Sequence, residues 1–195
     1  MLNAIGLQNV GIDIYLSEKL PFLRAKGATI IANIYGHSAD EYVELARRLD
    51  AEGAADAIEA NLSCPNVHDA RKAKGAVLVS QDPRCVDEYT RAIREVTKLP
   101  LIVKLTPNVM DITEPALAAE AAGADALCLI NTLLGLAIDA DTRRPRLSNI
   151  VGGLSGPAIR PVAVKMVWDA HRVVKIPIIG TGGICYADDA IEFLL

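Results

Sequence analysis

Short apolar runs alternate along the chain with longer stretches in which apolar and polar positions mix at helical spacing. Residues 29–33, 55–60, 101–105, 126–130 and 176–180 are each short and apolar enough to form a strand buried on both faces. Helix-start signals fall between them. Ser38 with Glu41 forms a capping box before residues 42–49, and Asp82-Pro83 precede residues 85–97. Thr113 with Pro115 opens a third helix that Gly123 closes. Gly156-Pro157 open a fourth over residues 158–174, and Tyr186 starts a fifth near the end of the chain. Repeated strand-then-helix units call for a parallel sheet. Two α/β arrangements are open, a doubly wound sheet and a (β/α)8 barrel. No GxGxxG fingerprint follows a strand, and repeats of roughly 25 to 45 residues suit the barrel. A barrel normally takes about 250 residues, so five strands in 195 residues mean either an incomplete barrel or strands not yet counted. The expectation is one partial domain over residues 1–195.

Composition narrows the function classes. At 51% hydrophobic and 4% aromatic, the chain can bury a large core built mainly from aliphatic side chains. A net charge of -4, with basic clusters only at Arg71-Lys72-Ala73-Lys74 and Arg143-Arg144, argues against a nucleic-acid surface. Cys64, Cys85, Cys128 and Cys185 form no CxxC pair and have no histidine at ligand spacing, so neither a metal site nor a disulfide framework is expected. A reducing cytoplasm fits. No apolar run approaches the roughly 20 residues of a membrane span, and the first residues do not make a signal peptide.

The candidate chemistry lies where the strands end. Asn33 ends the first, Asn61-Leu62-Ser63-Cys64-Pro65-Asn66 follow the second, Lys104 and Asn108 close the third, Asn131-Thr132 the fourth, and Gly180-Thr181-Gly182-Gly183 the fifth. A parallel barrel gathers these ends on the face that holds active sites. A single asparagine there is ordinarily a turn-former, but several polar ends in one chain weaken that explanation. Cys64 is flanked by two carboxamides, and a thiol with a free pKa of about 8.5 can be tuned into a base; the competing reading is a small buried hydrophobe. Lys104, inside an apolar strand, must snorkel to water or meet an anion or an electron-rich ring. Gly152-Gly153-Leu154-Ser155-Gly156 and Gly180-Thr181-Gly182-Gly183 are either tight turns or loops whose amides close on phosphate. On late strands they match the usual phosphate site of barrels, which implies a phosphorylated cofactor. His37, His68 and His171 read as surface residues, Cys85 and Cys128 as core packing, and Trp168 as packing on a barrel-facing helix.

Several motifs, in order and spacing, resemble class 1 dihydroorotate dehydrogenases, with the B-type, NAD-linked catalytic subunits most similar. They are Asn61 to Asn66, Val103-Lys104-Leu105-Thr106-Pro107-Asn108, Ile130-Asn131-Thr132, Gly152 to Ile159, Gly180-Thr181-Gly182-Gly183-Ile184, and Asn3-Ala4-Ile5-Gly6-Leu7-Gln8-Asn9. The resemblance implies an FMN-binding (β/α)8 TIM barrel that oxidises dihydroorotate to orotate in pyrimidine synthesis. Cys64 would be the base at C5 while a hydride leaves C6 for the flavin. Asn61 would contact both substrate and FMN. Asn66, Asn131, Thr132 and the loop Asn3, Ala4, Ile5, Gly6 and Leu7 would hold the substrate's ring and carboxylate. Asn33, Lys104, Ile130, Gly156, Gly182 and Gly183 would contact FMN. The class is soluble, forms dimers or larger assemblies, and in the B-type works with a subunit carrying FAD and an iron-sulfur cluster.

Against that family the chain lacks the first strands, with a lysine expected to reach flavin and substrate, and the last strand with its Gly-Thr phosphate contact. The expectation is therefore an incomplete barrel with exposed sheet edges. The segment 68–81 is also longer than the family pattern. Two other readings stand beside the first. One is a dihydropyrimidine dehydrogenase-like barrel that reduces uracil with a cysteine acid in the matching place. The other is a non-catalytic truncated remnant.

Overall fold

The computed structural model describes residues 1–63 and 79–195. Its strands are β1 (Leu2–Asn3), β2 (Ile31–Ile34), β3 (Ala57–Asn61), β4 (Leu101–Lys104), β5 (Ala126–Leu129), β6 (Leu133–Leu136), β7 (Ile138–Asp139), β8 (Arg144–Pro145), β9 (Val151–Leu154) and β10 (Ile178–Gly180). The helices are α1 (Gly11–Ile14), α2 (Leu20–Ala25), α3 (Ala39–Ala51), α4 (Pro83–Arg94), α5 (Thr113–Ala121), α6 (Arg160–His171) and α7 (Ala187–Leu194).

Strands β2, β3, β4, β5 and β10 form one parallel sheet, and their order across it follows their order in the chain. A doubly wound sheet reverses its strand order at a switch point, whereas a barrel adds each strand beside the last. The unreversed order decides between the two arrangements open from sequence: the sheet is a five-strand portion of a (β/α)8 barrel. All five expected strands are present, shifted by one or two residues at some ends.

Helices α3 and α4 start where their caps direct. Ser38 accepts from the Glu41 amide at 3.3 Å, while Glu41 reaches back to the amide of His37 at 2.8 Å, one residue before the cap. Asp82 caps α4 through the Arg84 amide, with Pro83 at the first helical position. The fourth helix is shorter than the expected 158–174: a 3₁₀ turn, Pro157–Ile159, precedes α6. α4 stops at Arg94 rather than Thr97, because the Arg94 guanidinium takes the carbonyls of Thr97 and Leu99 and pairs with Asp125.

The outer face of the sheet, with Ile58, Ala60, Leu101, Val103, Leu105, Leu127 and Leu129, forms the main core with Tyr42, Leu49, Val86 and Ile93 of the helices. Beneath the sheet, acids lock neighbouring strands together. Asp56, just before β3, accepts the Ile30 amide at 2.7 Å, and Asp125, just before β5, accepts that of Leu101 at 2.8 Å. Trp168 corrects an expectation: it is 57% exposed on α6 and packs little.

Two features were not anticipated. Residues 11–25 are helical throughout, α1 and α2 being joined by a π-helical turn, Tyr15–Lys19, that ends just before Pro21. An antiparallel layer, β1-β9-β6, stands beside the parallel sheet.

Candidate functional site

The polar strand ends do converge. Inner-face side chains alternate along each strand, and the register aligns Asn33 with Glu59 and sets Asn61, Lys104 and Cys128 in a row across β3, β4 and β5. Lower on that face, Ala57, Ile102 and Ala126 pack up against Cys128 in a small apolar cluster apart from the main core. The inner surface is therefore apolar at its base and polar at the C-terminal rim.

Three groups of contacts build the rim. In the first, Ser63, 1% exposed, joins two carboxamides. Its hydroxyl donates to Asn61 Oδ1 at 2.7 Å and accepts from Asn131 Nδ2 at 2.9 Å. Longer bonds run from the Ser63 amide to Asn61 Oδ1 at 3.3 Å and from Asn131 Nδ2 to the Ser63 carbonyl at 3.2 Å. This fixes which atoms the amides offer: with its oxygen engaged, Asn61 presents N–H donors, and with an N–H engaged, Asn131 presents its carbonyl. Tyr42, fully buried, donates to the Asn61 carbonyl at 2.7 Å and holds this strand end from the helix side.

In the second group, Glu59 accepts from Asn33 Nδ2 at 2.5 Å and pairs with Lys104 Nζ at 3.7 Å. Lys104 therefore neither snorkels freely nor lies unpaired.

The third group is the glycine-rich wall. Asn3 pairs with Gly153, and a Cβ on Gly153 would collide with the Thr132 side chain, while one on Gly152 would lie 2.5 Å from the Asn3 carbonyl oxygen. Asn3 and Thr132 thus each pack against β9 where it carries glycine, at Gly152 and Gly153, with no room for a Cβ. Asn108 braces the same wall, donating to the Thr132 carbonyl at 3.0 Å and accepting the Leu134 amide at 2.9 Å. This corrects the reading of the first glycine run: Gly152 and Gly153 belong to β9, and only Gly156, with φ +93°, turns the chain toward α6. There the two glycine runs meet. Gly183 has φ +78°, and a Cβ on it would stand 2.7 Å from the Gly156 carbonyl oxygen. Arg160, beside that corner, pairs with Asp189 and with Glu192 and so ties the corner to α7.

Ala4, Ile5, Gly6 and Leu7 form an exposed loop following β1. Ile130 is 4% exposed, so its backbone is the part of it that shapes the rim: its N–H donates to the Thr181 carbonyl, and its carbonyl accepts from the Thr181 hydroxyl, each at 3.0 Å. Cys64 and Asn66, with His68 and the basic run Arg71 to Lys74, lie outside the described residues. Sequence reasoning missed Ser63 and Glu59. An acid in an apolar run with a lysine on the next strand was the available signal for Glu59; Ser63 offered only its place between Asn61 and Cys64.

Burial raises the Cys128 thiol from 9.0 to about 11, with nearby Glu59 adding to the rise and Lys104 opposing it. The folded chain keeps this proton where the unfolded chain releases it. The associated stability is complete below pH 9 and falls as pH rises to 11, by about 2–3 kcal/mol in total. Urea unfolding at pH 8 and pH 10.5 should show a steeper loss for the native chain than for Cys128→Ala; equal losses would refute it.

Among the described residues there is no cluster of three or more metal-ligating side chains, and no helix is long and apolar enough to cross a membrane.

Comparison with known proteins gives one consistent result. The family profile described as dihydroorotate dehydrogenase matches residues 1–195. A protein of Trichlorobacter lovleyi described as dihydroorotate dehydrogenase B (NAD(+)), catalytic subunit, is 56% identical over all 195 residues. Proteins with the same description from Geotalea uraniireducens and Geobacter sulfurreducens are 54% and 53% identical over the same length. The chain spans 62% of the length of each of these relatives.

Proposed function

The chain belongs to the dihydroorotate dehydrogenase family, and from that membership we propose that it oxidises dihydroorotate to orotate with FMN as its cofactor. The observation that carries this is the pair of carboxamides, Asn61 and Asn131, oriented through Ser63 on the strand end that leads into Cys64. They offer donors and an acceptor in fixed directions, without charge, to a planar ring that has both N–H and C=O edges.

The rim fits FMN. Asn33, Asn61 and Lys104 place polar groups along the inner face, and at the corner of Gly156 and Gly183, both at positive φ, no side chain covers the backbone, which suits amides that close on a phosphate. When bound, FMN supplies a hydride acceptor for the hydrogen at C6 of the substrate.

The chain's own residues supply the rest. Cys64 removes the C5 proton as a thiolate, and the electron pair of that C–H bond becomes the C5–C6 double bond as the hydride departs. Asn61, Asn66, Asn131 and Thr132, with the loop Asn3 to Leu7, hold the ring and its carboxylate. The Lys104 ammonium favours negative charge on the neighbouring ring. Ile130, Gly156, Gly182 and Gly183 complete the cofactor seat. The onward electron acceptor would be a partner subunit, which in the B-type carries FAD and an iron-sulfur cluster and would pass electrons to NAD. The working protein is a cytoplasmic homo-oligomer, and residues 1–195 are one partial barrel unit within it.

The test is direct. The purified chain is titrated with FMN by fluorescence quenching, then mixed anaerobically with dihydroorotate or dihydrouracil while the flavin absorbance is followed. Bleaching by dihydroorotate is expected. Bleaching by dihydrouracil alone would transfer the chain to the uracil-reducing reading, and failure to quench FMN would favour the non-catalytic one.

A further inference from the structure

Glu59 is the acid that the mechanism above leaves without a task. It lies on β3 with its side chain 15% exposed, between the strands that carry Asn33 and Lys104. A carboxylate this deep loses much of its hydration, and only its partners can offset that cost. Its neighbours are the Cys128 thiol, which hydrogen-bonds to it from β5, and two side chains assigned to FMN: Asn33 donates to it at 2.5 Å, and the Lys104 ammonium stands 3.7 Å away. The longer distance matters. At 3.7 Å the ion pair is a charge interaction more than a tight hydrogen bond, so Glu59 offsets the lysine's charge while leaving ammonium donors for another acceptor.

We propose that Glu59 is a positioning residue that aims Asn33 and Lys104 at the flavin and, by offsetting the lysine's charge, lowers the reduction potential of bound FMN. This rests on the FMN reading of the site. The physical sense is fixed by sign. Adding electrons to the ring builds negative charge, which a cation stabilises and a neighbouring anion opposes. With Glu59 in place Lys104 acts as part of a pair. Without the carboxylate it acts as a bare cation in a partly buried setting, where screening by water is weak.

Two variants separate charge from orientation. Glu59→Gln keeps an amide oxygen for Asn33 and removes the charge. Its FMN midpoint potential should rise, with FMN affinity within about threefold of the native chain. Glu59→Ala removes both roles, and FMN affinity should fall about tenfold, the scale of one lost charge-assisted hydrogen bond. Lys104→Met should move the potential the opposite way, and the Glu59→Gln rise should shrink in a Lys104→Met background if the carboxylate acts through the lysine. An unchanged potential in Glu59→Gln, in a variant that binds FMN and melts like the native chain, overturns the proposal and leaves the FMN reading intact. If Glu59→Gln does not fold, an unchanged potential in Lys104→Met overturns it equally. Failure of the native chain to bind FMN removes the reading and the proposal together.

Discussion

Gly183→Val is expected to weaken FMN binding more than a hundredfold. The native residue has φ +78°, a conformation in which a β-branched side chain is strained, and its absent Cβ would lie 2.7 Å from the Gly156 carbonyl oxygen and 3.0 Å from the Arg160 amide nitrogen. Both obstacles are backbone, so no flexible side chain can swing aside. Strain of about 1–3 kcal/mol and a similar overpacking cost would force the two glycine loops apart. If this corner seats the cofactor's phosphate, its amides lose their geometry. Gly183→Ala, with the same Cβ but no branching, should lie between valine and the native chain. Fluorescence titration with FMN, beside a thermal melt, measures both consequences. Affinity within threefold of native in the valine variant would place the phosphate elsewhere.

Under the proposed function, Ser63→Ala is expected to lower kcat/KM for dihydroorotate about 10- to 100-fold with little change in FMN affinity. The hydroxyl is the short link between Asn61 and Asn131, at 2.7 and 2.9 Å. Without it each amide keeps only a longer bond to the Ser63 backbone, at 3.3 and 3.2 Å. Poorly satisfied buried groups cost about 1–3 kcal/mol, and a tenfold rate change corresponds to about 1.4 kcal/mol. The backbone bonds set the upper limit, since they still favour the native orientation. Steady-state rates against substrate concentration decide the matter. Native kinetics would show that the amides are oriented without the hydroxyl.

The parallel sheet was legible because its strands are short apolar runs, the central ones β3, β4 and β5 largely buried, and because α3 and α4 start at side-chain caps, features that local pattern records directly. The polar rim was legible for a related reason: Lys104, Asn61 and Asn131 interrupt or end apolar runs, where a polar residue is conspicuous. Glu59 interrupts such a run too, yet its meaning lies in Asn33 and Lys104 on the flanking strands, and pairing across strands is not written in either run. The layer β1-β9-β6 was hidden more deeply. Its middle strand reads Val151-Gly152-Gly153-Leu154, and glycine disfavours strand by propensity; only the closeness of Asn3 and Thr132 on either side explains the choice. The helical residues 11–25 were obscured by Pro21, which a π-helical turn accommodates.

The layer beside the parallel sheet also bears on how the chain acquires its shape. Most contacts within the parallel sheet join successive strand-helix units, so each new unit finds its neighbour after a short search. The pairing of Leu2 with Leu154 and of Asn3 with Gly153 in β9 closes separations of 152 and 150 residues, and the bond from the Met1 amino group to the Ser155 carbonyl one of 154. Closing a loop that long costs more chain entropy than any step between adjacent units, and it returns few contacts of its own until the rest stands in place. By this physics the parallel sheet is expected to form early and the pairing of β1 with β9 late. A chain caught partway would carry most of its secondary structure and no finished place for a substrate.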